Sequence, residues 1–316
     1  MRYIRKVVVS IAAMVAMSIV MLAVFSGTQS VGENAGLDIT RSITSVPKGP
    51  SSPPEKTHTP HANIVIEGDT AFTPANGVTG GTGTKTDPYI ISGWEFNFTS
   101  SIGIWVRNTT LNFTIRDCKF TADTGTTITY YAAVHMTNVF HGSVSNCTMG
   151  NGFSGIALYG CLGITVDKCH IYMNNIGIIL NGTSYSVITD NVIAQNFWMG
   201  AHISTDSSSP IILPGYNRFC YNNFADNAGM GTQAYDSQER NIWNASDRGN
   251  YWSDWTGPDT DHDGIVDYPY PLAGSVGAKD YKPIAPGKVT ESVPSTVAVL
   301  MLSAIVVLSA VMRRTE

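Results

Sequence analysis

GIALYGCLGITVDKCHIYMNNIGIIL, residues 155–180, opens with a Gly-Ile pair that returns 22 residues later as Gly177-Ile178. The interval is one member of a longer register. An apolar residue, a second position three on and an apolar residue two further recur along the chain. They do so as Ile91-Trp94-Phe96, Ile115-Cys118-Phe120, Val144-Cys147-Met149, Val166-Cys169-Ile171, Ile188-Asn191-Ile193 and Phe219-Asn222-Phe224. The central positions are 24, 29, 22, 22 and 31 residues apart. A second column keeps step with the first: Gly103-Ile104, Ala133-Val134, Gly155-Ile156, Gly177-Ile178 and Gly200-Ala201. Periods of this size signal a solenoid.

The kind of solenoid follows from the spacing inside each unit. Ile156 and Leu158, Ile164 and Val166, and Cys169 and Ile171 alternate over short spans, the period of a strand. Gly, Asn and Asp punctuate them and supply the left-handed backbone of sharp corners. Three short strands and three corners in about 22 residues make one coil of a parallel β-helix, with coils stacked about 4.8 Å apart. The central column then points inward at a corner, where asparagines bond along the stack and thiols pack as small apolar groups. Of the five cysteines, Cys118, Cys147 and Cys169 belong to that column; Cys161 and Cys220 lie off it. Core packing of free thiols suits the three better than redox chemistry, and a disulfide outside the cell stays open for the other two.

Both ends of the 316-residue chain read as membrane signals. Arg2, Arg5 and Lys6 precede an apolar run at residues 7–25, the layout of a secretory signal. Residues 295–312, STVAVLMLSAIVVLSAVM, are long enough to span a bilayer, and Arg313-Arg314 behind them place the tail in the cytoplasm. Between the two, 14 basic residues face 23 acidic ones over residues 26–294. An acidic segment without a basic cluster excludes nucleic acid as the expected partner. Six Asn-x-Ser/Thr sequons, at Asn97, Asn108, Asn112, Asn146, Asn181 and Asn244, suit an exported, glycosylated surface.

The repeats resemble the right-handed parallel β-helix of the NosD-like, carbohydrate-binding and sugar-hydrolase (CASH) superfamily. IVIEGDTAFTPANGVTGGTGTKTDPYIISGWEF (residues 64–96) is similar to the first coils of archaeal surface proteins of that kind, and QAYDSQERNIWNASDRGNYWSDWTGPDTDHDGIVDYPY (residues 233–270) to their ends. The last apolar stretch with its two arginines resembles the anchoring tails of archaeal exported proteins. The resemblance implies fold and location. It leaves the chemistry open, because the group spans binding proteins, lyases, hydrolases and epimerases.

Four sets of residues are candidates for chemistry. In DTDHDGIVD, the alternating Asp259, Asp261 and Asp263, then Gly264, the Ile265 carbonyl and Asp267, have the spacing of the front of an EF-hand loop. Tyr270 stands where that loop needs a glutamate, so the expectation is a weak, structural calcium site, with Asp254 as a further ligand. Asp261-His262-Asp263 also resembles the motif of β-helix epimerases, but falls after the last identifiable coil. For copper, which the NosD resemblance raises, His135, His141, His170 and His202 with Met136 and Met173 are the soft ligands; no His-x-His or Met-x-x-Met cluster gathers them, and the expectation is surface histidines rather than copper. Extra residues at 123–131 and 204–215 project as loops, and Tyr130, Tyr131 and Trp198 offer flat faces to sugar rings, with corner packing as the competing reading. No Asp-Asp pair, Gly-His-Gly turn or Arg-acid constellation supports glycan cleavage.

The sequence thus predicts an all-β protein. Residues 1–28 form a signal peptide or signal anchor, 29–62 a Pro/Ser/Thr-rich linker and 63–228 a right-handed parallel β-helix. A capping module with the Asp-rich loop follows at 229–285, then a linker at 286–294, a transmembrane helix at 295–312 and a cytoplasmic tail at 313–316. The expected role is a membrane-anchored cell-surface protein, structural or binding envelope polysaccharide. A polysaccharide-acting enzyme and a copper-handling accessory are the alternatives.

Overall fold

The computed structural model describes residues 57–98, 101–122, 131–205, 215–227 and 232–286. The expected signal, most of the linker, the transmembrane helix and the tail lie outside the described residues, as does Tyr130. Among the described residues no helix is long and apolar enough to cross a membrane.

The described chain is all-β, a parallel β-helix of three faces. One face is built of long strands: Ile64–Glu67, Ile104–Thr109, Ala132–Val139, Ser154–Tyr159, Ile176–Asn181, Met199–Ser204 and Ala234–Asp236. The second carries Tyr89–Ser92, Phe113–Arg116, Gly142–Ser145, Thr165–Asp167, Val187–Thr189 and Arg218–Cys220, with Val78–Gly80 antiparallel at its first edge. The third runs from Thr59–Pro60 through Trp94–Phe98, Lys119–Ala122, Thr148–Gly150, His170–Tyr172, Val192–Ala194 and Asn223–Ala225 to Tyr251–Trp252. Every neighbouring pair on the long-strand and third faces is parallel, and the anticipated register holds: Val144 pairs with Val166 and Val166 with Ile188.

The interior is a narrow column of fully buried side chains, Ile91, Ile115, Val144, Val166, Ile188 and Phe219 among them. Rings stack along the axis at the coil spacing: Phe96 on Phe120 at 4.8 Å, Phe224 on Trp252 at 4.5 Å, and Trp252 on Tyr270 at 4.1 Å. Gly177 explains the Gly-Ile repeat. It points into the core where two successive residues must turn inward, and a Cβ there would sit 2.4 Å from the Gly200 carbonyl oxygen and 2.8 Å from Ile193 Cγ2.

The corners are closed by polar ladders. The Cys169 amide donates to Asn191 Oδ1 (2.9 Å), the Asn191 amide to Asn222 Oδ1 (3.1 Å) and the Asn222 amide to Asn250 Oδ1 (3.1 Å). The Asn250 amide ends the series on Asp280 Oδ2 (2.7 Å). Earlier rungs use Cys118, Cys147 and Cys169, whose thiols reach carbonyls two residues back at 3.3 Å. From Cys118 to Asn222 the residue before the rung is left-handed: Asp117 (φ 54°), Asn146 (φ 49°), Lys168 (φ 54°), Asp190 (φ 56°) and Tyr221 (φ 61°). A second ladder at the next corner runs Asn174, Asn196, Asn227 and Gln233, with links of 3.0–3.1 Å. All five cysteines are free and buried. Hydrogen bonding to Cys147, then burial, holds the Cys118 thiol far above its usual range, and burial pushes Cys161 up to about 12. These thiols are core groups.

Two boundaries differ from the expectation. Thr59–Pro60 already pairs with Trp94 and Glu95, so the coil begins inside the expected linker. At the other end Ala234–Asp236, Asn250 and Trp252 add a further coil beyond residue 228. That coil lacks the three-then-two spacing because residues 244–249 intervene between Trp243, which stacks on Phe219 at 4.2 Å, and the rung residue Asn250.

The ladder sets two expectations. Asn191→Leu orphans the Cys169 amide and the Val166 and Thr189 carbonyls now served by Asn191, and urea denaturation will show a loss of about 3 kcal/mol or more. Asn191→Cys restores the chemistry of the preceding rungs and will lose less than half of that. Gly177→Ala will cost about 2 kcal/mol through overpacking against backbone that cannot move aside.

Candidate functional site

Alternation along a strand turns every other side chain of the long-strand face outward. On the other two faces those positions are mostly polar. Here they form a second apolar cluster, separate from the core: Ala132, Ala157, Ile176 and Ile179, with Phe153, Tyr159, Trp198 and Met199 packed on them. Ile176 and Ile179 are each only 8% exposed although they lie on the outside of the coil.

One edge of this cluster is a row of residues one place before the paired positions Ala132, Ser154, Ile176 and Met199. It holds Tyr131, Phe153, Asn175 and Trp198, one per coil. Backbone bonds tie the row together: Ser154 N–H to Tyr131 O, Ile176 N–H to Phe153 O, and Trp198 N–H to Asn175 O (2.8 Å). The Phe153 and Trp198 rings lean across the intervening Asn175 and meet edge to face, 5.5 Å apart at 89°. The structure therefore brings the anticipated Tyr131 and Trp198 into one row and adds Phe153 and Asn175. The signal was available, because 131, 153 and 175 repeat at the 22-residue period and 198 at one more.

Further across the face lies the row Val65, Trp105, His135, Ala157, Ile179, His202 and Tyr235. His135 stacks on Tyr159 at 5.1 Å and meets Trp105 at 5.8 Å; His202 stacks on Tyr235 at 5.2 Å. Burial lowers both imidazoles, His135 to about 4. Arg107 lies over Trp105 at 4.0 Å and pairs with Glu67.

The soft ligands do not converge. His135 and His202 share a row but are three coils apart, about 14 Å along the axis. His170 sits on the third face, His141 at an exposed corner, and Met136 is buried in the core. These residues do not fit a single copper ion.

Ligand oxygens of Asp259, Asp261 and Asp263 lie within 4.8 Å of one another, the one such grouping of His, Cys, Asp or Glu among the described residues. Gly264 N–H donates to Asp259 Oδ2 (3.1 Å) and Ile265 N–H to Asp263 Oδ1 (2.7 Å). Asp267 turns elsewhere, accepting from the Thr260 hydroxyl at 2.6 Å, and Asp254 accepts from Tyr270 and Gln233. The buried acids are Asp236 and Asp280, both raised by burial and both receiving an indole N–H, from Trp243 (2.8 Å) and Trp252 (3.0 Å). Of the sequon asparagines, Asn97, Asn108 and Asn146 are exposed; Asn108 donates to Glu67 and Asn146 to Asp117. Asn112, Asn181 and Asn244 are half-buried.

Residues 58–257 match the family model described as periplasmic copper-binding protein (NosD), a span of 200 of the 316 residues, and the chain belongs to this family. No curated protein and no solved structure matches the chain.

The lowered imidazoles carry a pH signature. A folded-state pKa of about 4 for His135 against about 6.5 unfolded means that the unfolded chain binds the proton first. Its contribution is present above pH 6.5 and is lost as the pH falls from there toward 4, by up to about 3 kcal/mol. Urea midpoints at pH 7 and pH 4.5 will diverge in the native chain and diverge less in His135→Phe.

Proposed function

We propose that this NosD-family protein is exported, anchored in the membrane by residues 295–312, and displays its β-helix on the outer side of the cell as a structural, glycan-binding element without catalysis of its own. The observation that carries the reading is the outer cluster of the long-strand face. A β-helix buries its core inside the coil, so an apolar, aromatic cluster on the outside has no part in closing the coils. Clusters of that composition with a few polar groups are the usual lining of small-molecule sites. Membership of a family of periplasmic proteins supports a place outside the cytoplasm. The acidic balance of residues 26–294 supports a partner other than nucleic acid.

The loop of Asp259, Asp261 and Asp263 takes calcium in this reading, with the Ile265 carbonyl as a further ligand and Asp267 kept outside the set by its bond from Thr260. Its role is to hold the end of the chain against the last coil, where Ile265 bridges Ile284. Copper handling is a second reading, favoured by the family's description alone.

Screening the full-length chain in detergent micelles against a glycan panel tests the main reading: binding that Trp198→Ala weakens supports it, and binding to no glycan overturns it. Chelator in the same buffer will lower the melting temperature by about 3 °C or more, and Asp261→Asn will abolish that shift. Uptake of one equivalent of copper by the metal-free chain, lost in His135→Phe, would favour the second reading instead.

A further inference from the structure

We infer that Asn175 makes the shelf of Phe153 and Trp198 a site for neutral sugar rings, an inference that rests on the glycan-binding reading above. Two neighbouring asparagines show why. Asn174 is fully engaged: its Oδ1 accepts from Gly152 N–H at 3.0 Å, and its Nδ2 donates to carbonyls of Met149 and Tyr172 and to Asn196 Oδ1. It belongs to the corner ladder. Asn175 does not. Its backbone is satisfied, N–H to the Gly152 carbonyl at 3.1 Å and carbonyl from Trp198 N–H at 2.8 Å. Its side chain is only 6% exposed, yet the buried Nδ2 has no hydrogen-bond partner. A buried donor without an acceptor is costly, and an acceptor brought from outside recovers that cost.

What surrounds the amide selects the acceptor. Phe153 and Trp198 flank it in the same row, and Phe197 beside them is 45% exposed. Flat apolar faces next to a single amide donor match a pyranose ring, whose C–H face stacks on an aromatic while a hydroxyl oxygen accepts from the amide. Charge excludes the acidic sugars. Among the described outward residues of the long-strand face, the charged ones are Glu67 and Arg107, and they pair with each other. A uronate or sulfated ring would bring an anion to a desolvated surface that has no cation left to meet it.

The test measures full-length chain in detergent micelles against a neutral mannan, a neutral glucan and polygalacturonate, together with urea midpoints of each variant. Binding to at least one neutral polymer is expected, with polygalacturonate at least about tenfold weaker. Asn175→Ala will weaken neutral binding about tenfold, the size of one hydrogen bond. The same change will leave the urea midpoint unchanged or higher, because it removes an unpaired buried donor; a structural asparagine would lower it. Trp198→Ala weakens binding independently. Neutral binding that Asn175→Ala and Asn175→Leu both leave intact overturns the inference while the glycan reading stands, as does preference for polygalacturonate. Absence of binding to all three polymers and to the wider panel overturns both.

Discussion

The structure depends on how a chain turns a corner without leaving backbone amides unpaired. A parallel β-helix bends three times per coil, and at each bend an N–H leaves the sheet ladder and points along the axis. Buried away from water, such a group must find an acceptor. In this protein an inward side chain from the next coil supplies it. Asn191 serves Cys169, Asn222 serves Asn191, and Asn250 serves Asn222. Asn196 and Asn227 repeat the arrangement one corner further on. Each asparagine also donates back to carbonyls of the coil before it, as Asn191 does to Val166 at 3.0 Å.

A ladder in which every rung donates toward the C-terminal end has a polarity, and its last donor needs a group that only accepts. Asp280 fills that place on the first ladder, taking the Asn250 and Trp252 N–H groups and the Lys282 amide at 3.0 Å. Asp236 does the same work at the third corner for Asn241, Gln238 and Trp243. Burial raises both carboxyls while these donors pull them down, so the two buried acids are explained by the corners they terminate. Acids that close ladders are not free to move protons for a substrate. With the core satisfied by its own stack, the row of Tyr131, Phe153, Asn175 and Trp198 takes no part in the corner ladders, and its Phe153 and Trp198 pack on the outer cluster instead.

The first ladder was legible because Cys118, Cys147, Cys169, Asn191 and Asn222 stand between apolar residues at fixed offsets. The second, Asn174, Asn196 and Asn227, follows five residues behind its counterparts and carried the same periods, but corner polarity without an apolar frame does not announce itself. The last coil escaped because residues 244–249 stretch one corner and break the spacing. Tyr131 and Trp198 were visible as aromatics beside extra residues. Phe153 and Asn175 were not, since an aromatic or an asparagine inside a regular coil looks like any other corner residue.

Sequence alone determined the period, the parallel winding and the inward column, because a repeat stacked on itself must place equivalent residues one above another. It also determined the acidic spacing of Asp259, Asp261 and Asp263, which is local. Tertiary structure decided what depends on distance across coils. It set His135 and His202 three coils apart rather than on one ion, turned Asp267 toward Thr260, and brought the Phe153 and Trp198 rings together in the row that holds Asn175, whose amide nitrogen has no partner. The reason is physical: periodicity sets which coil a residue occupies, but the direction in which its side chain leans is settled only by the neighbours above and below it.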